Sequence, residues 1–131
     1  MNVVLDTNVL IAGVVADGLC RNLVRRHARE HELFTSAILL RELANKLKTK
    51  FGEDPADLPM MAIYQNHVKL VVPLPLTSPI CRDADDDVVL ATAVAAKADV
   101  IVTGDDDLLV LKRFQGIRIL SPRQFLELTG S

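Results

Sequence analysis

Residues 2–10 read NVVLDTNVL, and residues 98–107 read ADVIVTGDDD. In both stretches a short apolar, mostly β-branched run, typical of a strand, is followed by polar residues that include an aspartate. Asp6 follows the first run and Asp105 follows the second. In an open parallel sheet, ligands bind at the carboxyl ends of the strands, near the point where the strand order reverses. The two stretches therefore predict a sheet that brings distant carboxylates together.

Short β-branched runs alternate with longer helical stretches, which predicts an α/β fold with a mainly parallel sheet of about five strands flanked by helices. The predicted strands are residues 2–5, 33–35, 70–72, 100–102 and 117–120. The predicted helices are residues 8–15, 19–31, 36–50, 56–67, 86–97, 106–114 and 122–128. The expected N-caps are Ser36, Asp85 or Asp86, and Ser121 before Pro122. Residues 73–79, with three prolines, are predicted to form a loop.

Acidic residues recur at four separated positions: Asp6, Glu42, residues 85–87 and residues 105–107. Carboxylates gathered in one folded site would repel one another unless cations lay between them. Divalent cations such as Mg²⁺ bind oxygen ligands, and they activate water for hydrolysis. The pattern therefore predicts a divalent-metal site and, from it, a metal-dependent hydrolase.

Each acidic position also has a simpler interpretation. Asp6 can cap the helix that follows it, and the aspartates at 85–87 favour the dipole of a first helical turn, although three in succession after Asp83 exceed that need. Glu42 can form an exposed ion pair with Lys46 one turn later, which contributes roughly 0.3 kcal/mol. On the residues alone, these alternatives stay open.

The composition is typical of one globular domain that covers residues 1–131. Half of the residues are hydrophobic, and no apolar run reaches the roughly 18 residues that indicate a membrane span. The amino terminus lacks the pattern of a secretory signal. Cys20 and Cys81 are far apart in the chain, which is typical of two reduced thiols. A cytoplasmic protein without a membrane partner is expected.

Charge is unevenly distributed, although the formal net charge is only −2. Residues 21–50 contain eight basic and three acidic residues, whereas residues 83–107 contain eight aspartates and one lysine. An acidic centre beside a basic flank suits a polyanion that is held by phosphate contacts while metal ions act at the scissile bond. Arg25, Arg26 and Arg29 are the predicted phosphate contacts, and an ordinary solvated face is the alternative.

Residues 27–31, HAREH, match the H-x-x-E-H pattern of a group of zinc proteases. Two histidines four residues apart on a helix can bind zinc. Several arginines lie in or beside this segment, however, and their positive charges would disfavour a bound cation. We therefore interpret His27 and His31 as parts of a solvated helix face.

Four segments, in order over nearly the whole chain, resemble the motifs of PIN-domain nucleases. VLDTNVL at 4–10 resembles the opening motif, and LREL at 40–43 resembles the helix that carries the second acid. RDADDDVVLATA at 82–93 resembles the third motif, in which the family pattern D-x-x-L-A falls on Asp87. VTGD at 102–105 resembles the fourth, a T-x-D motif. Each motif is weak alone, but four in register are specific.

The chain resembles in particular the VapC-like toxins of bacterial and archaeal toxin–antitoxin pairs. The resemblance implies a Rossmann-like three-layer PIN fold, a Mg²⁺ or Mn²⁺ site, and cleavage of single-stranded or structured RNA by metal-activated water. It implies Asp6, Glu42, Asp87 and Asp105 as the catalytic metal-binding residues, with Asp107 in an outer position or on a second ion. A small antitoxin protein and a second copy of the chain are the expected partners.

In this interpretation Asp6 and Asp87 ligate the ion directly, while Glu42 and Asp105 bind or orient waters. Two polar residues are expected to support the carboxylates by hydrogen bonds: Asn8 and Thr103. Two alternatives from other classes stay open, namely a PIN-like domain that binds RNA or a protein without cutting, and a phosphorelay receiver. A receiver needs paired acids after its first strand, where this chain offers a single aspartate.

Overall fold

A computed structural model of the chain describes residues 1–15, 19–27 and 30–130. Within these ranges, six strands form one sheet: β1 (Asn2–Leu5), β2 (Glu32–Thr35), β3 (Val68–Leu70), β4 (Val100–Val102), β5 (Arg113–Phe114) and β6 (Ile117–Leu120). The α-helices are α1 (Thr7–Val15), α2 (Leu19–His27), α3 (Ala37–Phe51), α4 (Pro59–His67), α5 (Ala84–Ala95), α6 (Asp106–Leu109) and α7 (Pro122–Leu128). None of these helices is long and apolar enough to cross a membrane.

The strands lie in the order β3-β2-β1-β4-β6-β5, and every neighbouring pair is parallel except β5 and β6. From β1 the chain moves outward through β2 to β3, and after β4 it moves outward in the opposite direction. The strand order therefore reverses between β1 and β4, and the carboxyl ends of these two strands form the crevice in which such sheets bind ligands. The predicted mainly parallel α/β sheet is confirmed.

Hydrophobic cores lie on both faces of this sheet, which gives three layers. Alternation along β1 sends Val3 and Leu5 into one core and Val4 into the other. The first core also contains Tyr64, and the second contains Leu90. All residues of β4 are buried, as expected for a parallel strand that is covered by helices on both faces. The two strands that border the crevice are thus fixed by packing on both sides.

The predicted helix 106–114 is wrong beyond Leu109. Residues 113–114 instead form β5, which turns back onto β6 through Gln115 and Gly116. These two residues have φ angles of 49° and 81°. Positive φ at both central positions defines the two-residue hairpin turn whose twist matches the flanking strands, and glycine adopts it without steric cost. The turn therefore replaces the last predicted helical turns by a short antiparallel pair.

Other predicted boundaries shift by a few residues. The predicted helix 56–67 is divided at Pro59, which begins α4 after a short 3-10 turn. Proline lacks a backbone N–H and disfavours helical backbone in the residue before it, so the helix cannot run through this point. The strand predicted at 70–72 lies at Val68–Leu70. In the part of the chain that is described, α2 ends at His27.

The N-cap predictions are confirmed for two helices and wrong for α5. Ser36 caps α3, and Ser121 caps α7 in a capping box. The cap of α5 is Asp83 instead of Asp85 or Asp86, because its side chain accepts the N–H of Asp85 at 2.9 Å. The three aspartates that follow therefore lie inside the first turn of α5. This register decides which of them faces the crevice.

Candidate metal centre

Asp6 lies at the carboxyl end of β1, in the crevice between β1 and β4. Its N–H donates to the carbonyl of Val102 at 2.9 Å, and its side chain is only 5% exposed. The hydroxyl of Thr103 donates to Asp6 Oδ2 at 2.7 Å. Burial raises the pKa of the Asp6 carboxyl, and the charges of Glu42 and Asp105 raise it further against two hydrogen bonds that lower it. Asp6 is therefore a buried carboxylate that faces other acids.

Thr103 connects the ends of β1 and β4 to the acidic run that follows. While its hydroxyl donates to Asp6, the same oxygen accepts the N–H of Asp105 at 3.0 Å. Asp105 in turn caps α6, since its Oδ1 accepts the N–H of Asp107 at 2.9 Å. Thr103 thus contacts two of the expected metal-binding residues, Asp6 and Asp105. Asn8, the other residue expected to support the site, is exposed in the first turn of α1.

Asp86 reaches the same crevice from α5. One carboxylate oxygen from each of Asp86, Asp105 and Asp107 lies within 4.8 Å of the other two, and these three residues are called the acidic triad below. The Asp86 side chain is 8% exposed. Burial, followed by the charge of Asp105 and smaller contributions from Asp6 and Asp83, raises the pKa of Asp86 to about 7. In the absence of a bound cation, these effects favour the protonated form of Asp86 up to about neutral pH.

Asp87, the third acid that the family pattern indicated, makes other contacts. Its Oδ1 accepts the N–H of Cys81 at 2.8 Å, and its Oδ2 accepts the N–H of Ile80 at 3.2 Å. Both oxygens therefore hold the end of the loop between β3 and α5, which includes the predicted loop at 73–79. The structure brings Asp86, and not Asp87, together with the other members of the acidic triad.

Helical periodicity could have distinguished the two aspartates in the sequence. Asp86, Val89, Leu90 and Ala93 are all buried on α5. They are spaced three, four and seven residues from the first, which is the spacing of one helix face. Asp87 is rotated by one residue, or roughly 100°, around the axis. The apolar stripe therefore extends to Asp86.

Glu42, on α3, fits both of the interpretations that the sequence left open. Its charge contributes to the raised pKa of Asp6, so it lies close enough to the crevice to act on the buried acid. Its Oε1 also lies 2.9 Å from the Nζ of Lys46, one helical turn later. Glu42 is thus part of the acidic site and part of an ion pair at the same time.

Arg82 contacts the acidic triad, and sequence reasoning did not single it out. Its guanidinium donates to Asp107 Oδ1 at 2.6 Å, and its side chain is 86% exposed. The hydrogen bond and the charge of Asp107, with a further contribution from Asp105, raise the pKa of Arg82. Asp107 of the acidic triad is therefore paired with a long basic side chain that extends into solvent.

The predicted phosphate contacts lie outside the described part of the chain, namely Arg29 and the side chains of Arg25 and Arg26, and so does the side chain of His27, which was interpreted as part of a solvated face. The ring of His31 packs edge-on against Phe125 of α7, with 5.7 Å between ring centroids. Burial lowers the pKa of His31 from its usual value. His31 thus packs against α7 instead of lying on a fully solvated face.

The acidic crevice fits Mg²⁺ or Mn²⁺. The donors that converge are carboxylate oxygens, which these ions prefer. The thiol of Cys81 lies within reach of the charges of Asp86 and Asp105, but burial and its contact with Asp87 raise its pKa to about 12. A protonated thiol is a poor ligand, so the donor set remains one of hard oxygens. A divalent ion would also relieve the repulsion that raises the pKa of Asp6.

The strand order of the sheet reverses beside β1. Acidic residues from the end of β1, from α5 and from the β4–α6 junction lie at that point, so the chain is an α/β protein with an acidic centre. The family model of the PIN domain matches residues 2–107, and the chain belongs to the PIN-domain family.

A solved structure has the same fold. The crystal structure of VapBC2 from Rickettsia felis, bound to a DNA fragment from their promoter, matches with a TM-score of 0.63 over 91% of this chain and 97% of that chain. The sequences are 16% identical, so the likeness concerns the fold alone. Among curated proteins, no sequence matches this chain. The Rossmann-like three-layer fold implied by the motifs is confirmed.

Proposed function

We propose that this protein is a Mg²⁺- or Mn²⁺-dependent endoribonuclease that hydrolyses phosphodiester bonds in single-stranded or structured RNA. The observation that supports this most is the approach of carboxylates from three parts of the fold: Asp86, Asp105 and Asp107 converge, and Thr103 links Asp105 to the buried Asp6. The family is one of nucleases, and the crevice lies where sheets of this topology bind their ligands.

In this proposal Asp6, Asp86 and Asp105 hold the ion. Asp86 takes the place that the family pattern gave to Asp87, because both oxygens of Asp87 are already engaged by backbone N–H groups of the loop. The raised pKa values of Asp6 and Asp86 have burial and neighbouring carboxylates as their causes. Both carboxyls would bind a cation in place of a proton.

Glu42 and Asp107 are assigned to the periphery of the ion, where carboxylates orient water. Each already forms an ion pair with a basic side chain, Glu42 with Lys46 and Asp107 with Arg82. A bound divalent ion supplies a water of lowered pKa for in-line attack on phosphorus. The hydrogen bond from Thr103 favours the charged form of Asp6 and holds its carboxylate in place against burial, which raises the pKa. None of these roles requires a serine, cysteine or histidine nucleophile.

The basic stretch of sequence at residues 25–29 is the proposed RNA flank. Arg25, Arg26 and Arg29 are its proposed phosphate contacts, on the strength of the local positive excess in the sequence. α2 packs against α1, and α1 begins directly after Asp6. A polyanion that crosses the crevice would therefore pass close to this helix.

We further propose that the protein is the toxin of a toxin–antitoxin pair, which binds a small antitoxin protein and associates with a second copy of itself. The motifs resemble those of VapC-like toxins, and the chain shares its fold with VapBC2 of Rickettsia felis. A gene for a small DNA-binding protein beside the gene for this chain would support the pairing. The cytoplasm is the expected location of such a pair.

Two neighbouring aspartates provide a matched test of the metal-dependent cleavage. Asp105→Asn is expected to lower the initial rate of single-stranded RNA cleavage by about 100-fold or more, the upper end of losses on disturbing groups around a metal. Asp106→Asn should stay within a few-fold of the wild-type rate, because Asp106 is exposed on α6. EDTA should abolish RNA cleavage by the wild-type protein and by Asp106→Asn. The rates are measured on end-labelled RNA with Mg²⁺ or Mn²⁺.

Equal rates for the two variants, or undiminished cleavage in EDTA, would contradict the proposed function. RNA binding without cleavage under every metal condition would favour the PIN-like domain that does not cut. Phosphorylation of Asp6 by a small phosphodonor would favour the receiver alternative.

A further inference from the structure

Lys46 places a positive charge in the acidic crevice. Its Nζ lies 2.9 Å from the Oε1 of Glu42, and the two side chains are 27% and 21% exposed. Lys48 and Lys50, in the last turn of the same helix, are exposed. The Lys46–Glu42 pair is therefore partly enclosed, in contrast to the ordinary surface ion pair, which contributes little.

Lys46 also interacts with acids from two other elements. The charges of Asp6, after β1, and Asp85, on α5, act on its ammonium together with that of Glu42. Burial by itself lowers the pKa of Lys46, but the hydrogen bond that its ammonium donates to Glu42 and the three negative charges outweigh burial and raise the pKa. Lys46 thus places its positive charge against Glu42 and within range of the charges of Asp6 and Asp85.

A second basic side chain, Arg82, is held differently. Arg82 contacts Asp107 of the acidic triad, but its side chain extends almost wholly into solvent. A long exposed side chain of this kind loses its partner at little cost. The site thus has a partly enclosed cation against Glu42 and an exposed one against Asp107.

We propose that the Lys46 ammonium is the resident cation on the Asp6–Glu42 side of the crevice, so that the protein takes a single divalent ion, between Asp6 and the acidic triad. The proposal rests on the metal-dependent function proposed above. It also gives Lys46 a part in substrate binding, since an ammonium is a compact charge with three donors and can hold a phosphate oxygen where a second ion would otherwise lie. Glu42 then positions Lys46.

Calorimetric titration of the RNA-free protein with MnCl₂ tests this proposal. Wild-type protein is expected to bind one ion. Lys46→Met leaves Glu42 and Asp6 without their cation, and this variant is expected to bind two. Lys46→Arg keeps the charge and should bind one. Lys48→Met, which removes an exposed lysine from the same helix, is the matched control and should also bind one.

One ion in both the wild-type and the Lys46→Met protein would overturn the role of Lys46 and leave the proposed nuclease function standing. Two ions in the wild-type protein would overturn it as well. Absence of binding in every protein would overturn the metal-dependent function and this proposal together. If Lys46→Met melts too low to be titrated, Lys46→Gln, which keeps a hydrogen-bond donor to Glu42 but no charge, is judged by the same criterion.

Discussion

Asp86→Asn protein is expected to lose RNA cleavage almost completely, whereas Asp87→Asn protein keeps most of it. Asp86 belongs to the acidic triad and is nearly inaccessible to solvent, so an amide in its place removes a negative charge from the ion site. The expected loss of initial rate is on the order of 100-fold or more. Asp87 instead accepts two backbone N–H groups from the loop before α5. Replacing Asp87 should therefore lower the stability of the folded protein.

The two variants differ by one position on one helix, which makes each the control of the other. Both are assayed at saturating Mn²⁺ after their melting temperatures have been measured, so that unfolded protein does not count as inactive. The reverse outcome, full activity in Asp86→Asn and none in Asp87→Asn, would restore the assignment made from the D-x-x-L-A pattern. It would also mean that the triad is not the ion site.

Metal-free Asp86→Asn protein is expected to be more stable than wild type above pH 7. An unfolded chain titrates this carboxyl near 3.8, and the folded protein titrates it at about 7. The folded state therefore holds the extra proton between these values, so wild-type stability falls as pH rises through this window and stays low above it. At about 1.4 kcal/mol per pKa unit, removing the group should stabilise the folded state by a few kcal/mol. Thermal melts from pH 5 to 8 in EDTA measure the effect.

Asp87→Asn should shift the melting temperature in the opposite direction. An amide has one acceptor oxygen where the carboxylate has two, so one loop N–H exchanges its protein partner for water, at a cost of about 0.5–1.5 kcal/mol. Added Mn²⁺ should stabilise wild type and Asp87→Asn alike, and Asp86→Asn less, because a ligand stabilises the state that binds it. A lower melting temperature for Asp86→Asn at every pH would show that Asp86 is not under electrostatic strain.

The part of the fold that positions the site could be predicted from local sequence. Val3, Val4 and Leu5 form a strand because both faces of β1 meet a hydrophobic core, and a run of apolar residues is what such a strand requires. Thr103 and Asp105 follow β4 in the same way. Two parallel strands with acids at their carboxyl ends predict a common site, and the reversal of strand order between β1 and β4 agrees.

The rest depends on contacts that a motif does not contain. The family pattern indicated Asp87, but the helix starts at Asp83, and this register turns Asp86 to the buried face. The β5–β6 hairpin was hidden by an apolar run that is equally compatible with a helix, and Gln115 before Gly116 was the missed turn signal. Arg82 pairs with an acid 25 positions away, which only the folded chain brings near.

Location of the bound ion tests the central claim most directly. Crystals of the protein grown or soaked with MnCl₂, and measured at a wavelength where manganese scatters anomalously, should show a peak within coordination distance, roughly 2.0–2.3 Å, of carboxylate oxygens from Asp6, Asp86 and Asp105. The peak should be absent from crystals of Asp105→Asn protein, which should also fail to cleave RNA. Two results would contradict the account. One is a manganese peak elsewhere in a protein that cleaves RNA; the other is RNA cleavage by protein whose crystals show no metal in this crevice.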